Sequence, residues 1–155
     1  MRLTLVAVGR ARGTSEQALY ESYARQLVGR PLGPLTLKEL QERRALPAAE
    51  LPAAEAKLIR AALPAGDALV VLDSRGRSLS SADFARRLGQ WRDQGRAAAF
   101  VIGGAEGLDA ALRDSADLAL SLGPMTWPHL LVRVLLAEQL FRAQAILTGH
   151  PYHRD

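Results

Sequence analysis

Leu130-Leu131-Val132-Arg133-Val134-Leu135-Leu136-Ala137-Glu138-Gln139-Leu140-Phe141-Arg142-Ala143-Gln144-Ala145-Ile146-Leu147 holds only three charges, Arg133, Glu138 and Arg142. A surface helix keeps one polar face. This run is apolar almost all round, so it predicts a helix covered on more than one side, by its own sheet and by a second copy of the chain. The three charges argue against a membrane span. Met125-Thr126-Trp127-Pro128-His129 leads into the helix, and Thr148-Gly149-His150-Pro151-Tyr152-His153-Arg154-Asp155 follows it. These flanks contain all three histidines of the chain. Terminal residues commonly fray; a tail with Pro, an aromatic, His and Arg also has the chemistry for recognition.

Upstream, the pattern alternates strands with helices. Residues 2–9 are Leu- and Val-rich and end at Gly9, a first strand. Thr14-Ser15-Glu16-Gln17 caps a helix reaching Val28. Leu35 to Leu40 reads as a second strand, 41–50 as a loop, and Glu55 to Leu63 as a short helix. Ala68-Leu69-Val70-Val71-Leu72, closed by Asp73, has the continuous apolar character of a central parallel strand. Ser74 to Ser78 reads as a turn. Ser80-Ser81-Ala82-Asp83 caps a helix running to Gly95. Ala97 to Ile102 is another buried strand, residues 108–115 a short helix, and Asp117 to Leu122 a last strand. The order implies βαβ crossovers, hence an α/β fold with a mostly parallel sheet flanked by helices. With 155 residues, one domain spanning 1–155 is expected.

There is no cysteine, which removes disulfides, thiolate catalysis and Cys-ligated zinc. The histidines show no HExxH pattern, so no metal site is expected. The start lacks a signal-peptide pattern, and the reading is a cytoplasmic protein. The net charge is +4, and every basic residue except Lys38 and Lys57 is Arg. Arginine suits phosphate and base recognition; the same bias also follows from a GC-rich genome.

Ligands in parallel sheets sit beyond the carboxyl ends of strands. Three such ends stand out. Gly103-Gly104-Ala105-Glu106-Gly107 lets a backbone approach a ligand, or is simply a tight turn. Glu106 in that loop disfavours a triphosphate, which wants amides and cations; a nucleoside-like cofactor without phosphates, such as S-adenosylmethionine, meets no such objection. Leu122-Gly123-Pro124-Met125-Thr126-Trp127 offers backbone groups to an adenine edge, with Leu122 and Met125 on the ring; alternatively it is a helix-entry loop with Met125 or Trp127 in the core. Asp73 could cap the turn that follows it. His129 and Arg133 share a helix face, as do Glu138 and Arg142, the latter readable as an ordinary ion pair.

Pro128-His129-Leu130-Leu131-Val132-Arg133-Val134-Leu135-Leu136-Ala137-Glu138-Gln139-Leu140-Phe141-Arg142-Ala143, the ending His150-Pro151-Tyr152-His153-Arg154, and Ile102-Gly103-Gly104-Ala105-Glu106-Gly107 closely resemble the bacterial ribosomal large-subunit RNA methyltransferase H family. This is a minimal branch of the SPOUT, or α/β-knot, methyltransferases. The resemblance covers the whole chain, and it departs at Trp127 and Gln144. It implies a C-terminal trefoil knot, a homodimer, and S-adenosylmethionine held at Leu72, Gly103, Leu122, Gly123, Pro124, Met125, Thr126 and Trp127. It implies methylation of N3 of a pseudouridine in helix 69 of 23S rRNA on the assembled 70S ribosome. A tRNA-directed methyltransferase of the same fold and a non-catalytic RNA-binding dimer are the rival readings. The candidate catalytic residues are His129, Arg142, Tyr152, His153 and Arg154. In this scheme His153 takes the N3 proton, Arg154 or Arg142 stabilises charge on the base carbonyls, and Tyr152 stacks on the base. The tail of one subunit is expected to complete the site of the other.

Overall fold

The alternation of buried side chains along each strand decides how the layers form. In the computed structural model, which describes residues 1–153, β1 (Leu3–Val8) is buried at every position. Leu3, Leu5 and Ala7 face one apolar cluster, and Val6 and Val8 face another. Successive strand residues point to opposite sides, so a strand apolar on both sides requires helices on both.

The chain supplies them in turn: α1 (Ser15–Gln26), β2 (Leu35–Leu40), a 3-10 turn at Ala48–Glu50, α2 (Leu51–Ala62), β3 (Ala68–Ser78), α3 (Ser81–Asp93), β4 (Ala98–Ile102), α4 (Ala110–Asp114), β5 (Leu118–Ser121) and α5 (His129–Thr148). The five strands are all parallel, in the order β2-β1-β4-β3-β5. Tyr20 and Leu27, Phe84, Leu88 and Trp91, and Leu136 and Leu140 bring α1, α3 and α5 onto one face. Ala56, Ile59 and Leu112 bring α2 and α4 onto the other.

Local signals explain most boundaries. Thr14 accepts the Gln17 N–H and Ser80 the Asp83 N–H, the two expected N-caps. Helix α2 starts at Leu51, four residues before its expected start, with Pro52 in the first turn, where its missing N–H costs nothing. The expected turn at Ser74 to Ser78 is instead the second half of β3. Pairing with β5 shifts register between Leu72 and Arg77, then resumes as Arg77↔Leu120 and Ser78↔Ser121. Gly76 makes this possible: a Cβ there would meet the Ala119 carbonyl oxygen at 2.5 Å. Polar residues disguise this bulged extension as a turn.

Helix α5 is covered by the sheet, α1 and α3. Its two buried polar side chains have partners. Gln144, only 4% exposed, accepts the Leu32 N–H at 2.7 Å. Arg133, 2% exposed, reaches the end of β1. Among the described residues, no helix is long and apolar enough to cross a membrane.

Candidate methyl-transfer site

Three strand ends converge on one cavity of 460 Å³. Leu72 and Asp73 come from β3, Gly103 and Gly104 from the loop after β4, and Leu122 from the loop after β5. Seven of the eight expected cofactor residues line it: Leu72, Gly103, Leu122, Gly123, Met125, Thr126 and Trp127. Pro124 is exposed and stands outside the lining. Ile102, Leu108, Leu120 and Val132 complete the apolar wall and were not anticipated. The signal for Leu120 was present, since it sits two residues before Leu122, the spacing of one sheet face.

The glycines have steric reasons. A Cβ on Gly103 would come within 2.7 Å of Leu108 Cδ2, and one on Gly104 within 2.7 Å of a Glu55 carboxylate oxygen. Glu55 was not singled out from sequence. It is 8% exposed, and burial raises its carboxyl above the usual range, opposed by the Gly104 N–H. At the rim, Arg75 donates Nε and Nη2 to the two Asp73 oxygens at 3.1 Å each, and its N–H to Asp73 Oδ1 at 2.8 Å. Asp73 therefore accepts the N–H two residues on, within the bulged strand rather than in the expected turn, and the Arg75 guanidinium holds it below the ordinary carboxylate range.

Neither Met125 nor Trp127 is in the core: they are 71% and 40% exposed. The Trp127 indole donates to the Leu122 carbonyl at 3.3 Å, closing the loop on itself. It also lines a groove along α5 with Leu19, Leu131 and Leu135.

His129 lines the cavity and donates Nε2–H to the Val8 carbonyl at 2.6 Å. A carbonyl can only accept, so the proton is on Nε2. Burial pushes the ring's pKa down, the Val8 bond opposes this, and Arg133 adds to it. One turn on, Arg133 donates to Val8 O (3.1 Å), Gly9 O (3.0 Å) and Glu39 Oε1 (2.6 Å).

The other candidate catalytic residues collect at the far end of α5. Arg142 donates twice to Glu138 Oε1, at 2.9 and 2.5 Å. Its guanidinium carbon lies 4.9 Å from the Tyr152 ring centre, and Nη1 is 3.3 Å from His153 Nδ1. Tyr152 donates its hydroxyl to Glu138 Oε1 at 3.1 Å and meets Phe141 edge-on at 4.7 Å. Burial first, and then Tyr23 and Glu138, push its phenol up to about 12. The expected ion pair is therefore the hub of a cluster. Arg154 lies outside the described residues. At 1.5 Å per residue, Arg142 is about 15 Å along the axis from Val132, the last α5 residue in the cavity wall, and neither Glu138, Arg142 nor Tyr152 lines the cavity. The cavity and the tail cluster of one chain are thus separate places. Among the described residues, no group of three or more His, Asp or Glu is arranged to hold a metal ion.

The cavity fits a nucleoside-bearing cofactor without phosphates. Its wall is apolar, its polar groups are mainly backbone at strand ends, and its nearest charges include Asp73, already neutralised by Arg75.

Comparison with known proteins agrees. The family described as "Predicted SPOUT methyltransferase" matches residues 1–153. The chain is 57% identical over 155 residues to the ribosomal RNA large subunit methyltransferase H of Rhodospirillum centenum, covering 99% of both chains. It is 53% identical over 159 residues to that of Paracoccus denitrificans, covering 100% of both. A probable methylase family protein from Haemophilus influenzae shares the fold, with a TM-score of 0.54 at 16% identity over 99% of this chain and 70% of that one. By both the family match and the full-length identity, this chain belongs to the SPOUT methyltransferases, and among them to the ribosomal RNA large subunit methyltransferase H family.

Proposed function

We propose that this methyltransferase transfers the methyl group of S-adenosylmethionine to N3 of a pseudouridine in helix 69 of 23S rRNA within the 70S ribosome, acting as a homodimer in the cytoplasm. The knotted C-terminal segment of the family is part of the same reading. The observation that carries it is the meeting of Leu72, Gly103 and the 122–127 loop on one apolar cavity beyond the strand ends.

The bound cofactor would supply an activated methyl group, so the protein needs no covalent intermediate. What this chain must do is align the acceptor nitrogen and take its proton. Leu72, Leu122 and Met125 grip an adenine, and the backbone of 122–127 meets its edge. His153, or water held by it, accepts the N3 proton. The guanidinium of Arg142 or Arg154 stabilises charge developing on the base carbonyls. Because the Tyr152 ring packs on Arg142 and Phe141 in this chain, stacking on a base uses its remaining surface.

The separation along α5 supports the dimeric reading. A tail cluster around Arg142, about 15 Å along α5 beyond its own cavity wall, is useful when it reaches the cavity of another copy. The groove bearing Leu19, Trp127, Leu131 and Leu135, with Leu19 47% exposed, is an apolar surface for that copy.

The test is methyl transfer from labelled S-adenosylmethionine to 70S ribosomes, free 50S subunits and tRNA, each unmodified. Label in 23S rRNA, strongest with 70S, is the expected result. Label confined to tRNA overturns the substrate. No label and no heat of cofactor binding overturns the enzymatic reading.

A further inference from the structure

The loop leaving β1 is held more firmly than a surface connection requires. Arg10-Ala11-Arg12 lies between Gly9 (φ 89) and Gly13 (φ 80). Ala11 is 2% exposed, while Arg10 and Arg12 on either side are exposed. The Ala11 N–H donates to Glu39 Oε1 at 2.8 Å, and its carbonyl accepts the Thr14 hydroxyl at 2.7 Å. Glu39 is itself fixed by Arg133, which also grips the carbonyls of Val8 and Gly9. The Gly9 N–H donates to Leu40 O at 2.8 Å. Backbone on both sides of Arg10 is thereby locked to β2 and α5.

The two guanidiniums are left available. Arg44, in the loop after β2, is paired with Glu42, and Arg75, in β3, with Asp73. Among the described residues, Arg10 and Arg12 have no ion-pair partner; the same is true of Arg43 in the β2 loop. The position is also specific. β1 pairs directly with β4 through Ala7↔Ile102, and the loop after β4 lines the cavity. His129, in the cavity wall, bonds Val8, two residues before Arg10.

We propose that Arg10 and Arg12 form a preorganised hook that grips the sugar-phosphate backbone of the RNA substrate at the rim of the methyl-transfer cavity, held in shape by the Arg133–Glu39–Ala11 chain of contacts. This rests on the rRNA methyltransferase reading above. An arginine fork binds phosphate oxygens bidentately. A backbone fixed in advance loses little conformational freedom on binding. The contacts position the RNA without reading its sequence, which suits a small enzyme whose specificity comes from the shape of its target.

The experiment compares R10A/R12A with R25A/R30A, which removes the same charge near the opposite, amino ends of the strands. For R10A/R12A the KM for 70S ribosomes is expected to rise about tenfold at physiological salt, and the salt dependence of binding to flatten by one to two phosphate contacts. The kcat at saturation and the affinity for S-adenosylmethionine stay within about twofold of the parent, as the phosphate contacts only position the RNA. R25A/R30A leaves the KM nearly unchanged. An unchanged KM and salt slope in R10A/R12A, or an equal change in both variants, overturns the hook. A loss of cofactor affinity assigns the arginines to the cofactor carboxylate instead and also overturns it. Glu39→Ala adds a second discriminant. It removes a negative charge, so diffuse attraction alone would tighten RNA binding; a hook that needs its shape predicts weaker binding, restored by Glu39→Gln, with melting curves confirming the fold of both. A parent enzyme inactive on rRNA overturns the underlying reading, whereas an active parent with unaffected R10A/R12A overturns the hook alone.

Discussion

The two ends of α5 carry the same kinds of residue and use them differently. At the amino end, His129 and Arg133 are turned inward and bonded to the backbone of β1, over 120 residues away in sequence. At the carboxyl end, Arg142, Tyr152 and Glu138 bond one another across a single helical turn and the tail. The first set consists of anchors whose partners are main-chain atoms that cannot move without moving the sheet. The second is a part-exposed cluster whose partners are other side chains. Substitutions at the amino end should therefore cost stability, and those at the carboxyl end should cost rate.

The largest effect expected is at Arg133. Arg133→Met takes one donor each from the Val8 and Gly9 carbonyls and removes the cation paired with Glu39, and should lower unfolding free energy by roughly 3–5 kcal/mol, read by urea denaturation. A loss below about 1 kcal/mol would remove the anchor from the comparison. Next, Arg142→Ala should reduce kcat about a hundredfold, equivalent to about 2.7 kcal/mol, with a melting temperature and cofactor affinity close to the parent. A large fall in melting temperature would make Arg142 an anchor as well.

Gln144 sits near the carboxyl end yet behaves like the amino-end anchors, because it faces inward to the Leu32 N–H. Gln144→Ala should cost about 1–3 kcal/mol and leave kcat alone, showing that direction on the helix matters and not distance along it. The smallest effect is the pH dependence at His129, whose folded pKa is depressed chiefly by burial. Its contribution to stability is complete above the ordinary histidine pKa and is lost as pH falls through that value toward the folded one. His129→Gln should flatten the decline in stability between pH 7.5 and 5.5 relative to the parent. Unaltered pH dependence would mean that the ring titrates equally in both states.

Much of this division was legible in residues 125–155. The helix, the Glu138–Arg142 pair and the strand-end loops could be read because they depend on local spacing, as could the caps at Thr14 and Ser80. The three strand ends that line the cavity stood out because ligands sit beyond the carboxyl ends of parallel strands; the resemblance assigned Leu72, Gly103 and 122–127 to one cofactor. What stayed hidden depends on long-range geometry. Arg133 looked like one charge on an apolar helix until Val8, Gly9 and Glu39 surrounded it. Gln144 looked like a departure from the family until Leu32 needed an acceptor. Ser74 to Ser78 looked like a turn because its polar composition does not reveal that Gly76 lies against Ala119.

The central claim is that the tail at one end of α5 serves the cavity at the other end of a different copy. Gly103→Val, which crowds Leu108 within the cavity, and Arg142→Ala should each be nearly inactive as homodimers. Mixed and allowed to exchange subunits, half of the dimers pair one variant with the other, and each of these has one intact site. The account predicts recovery of about one quarter of parental activity. Heterodimers that form, as verified by mass spectrometry, and yet show no recovered methyl transfer would contradict it, because each tail would then serve its own cavity.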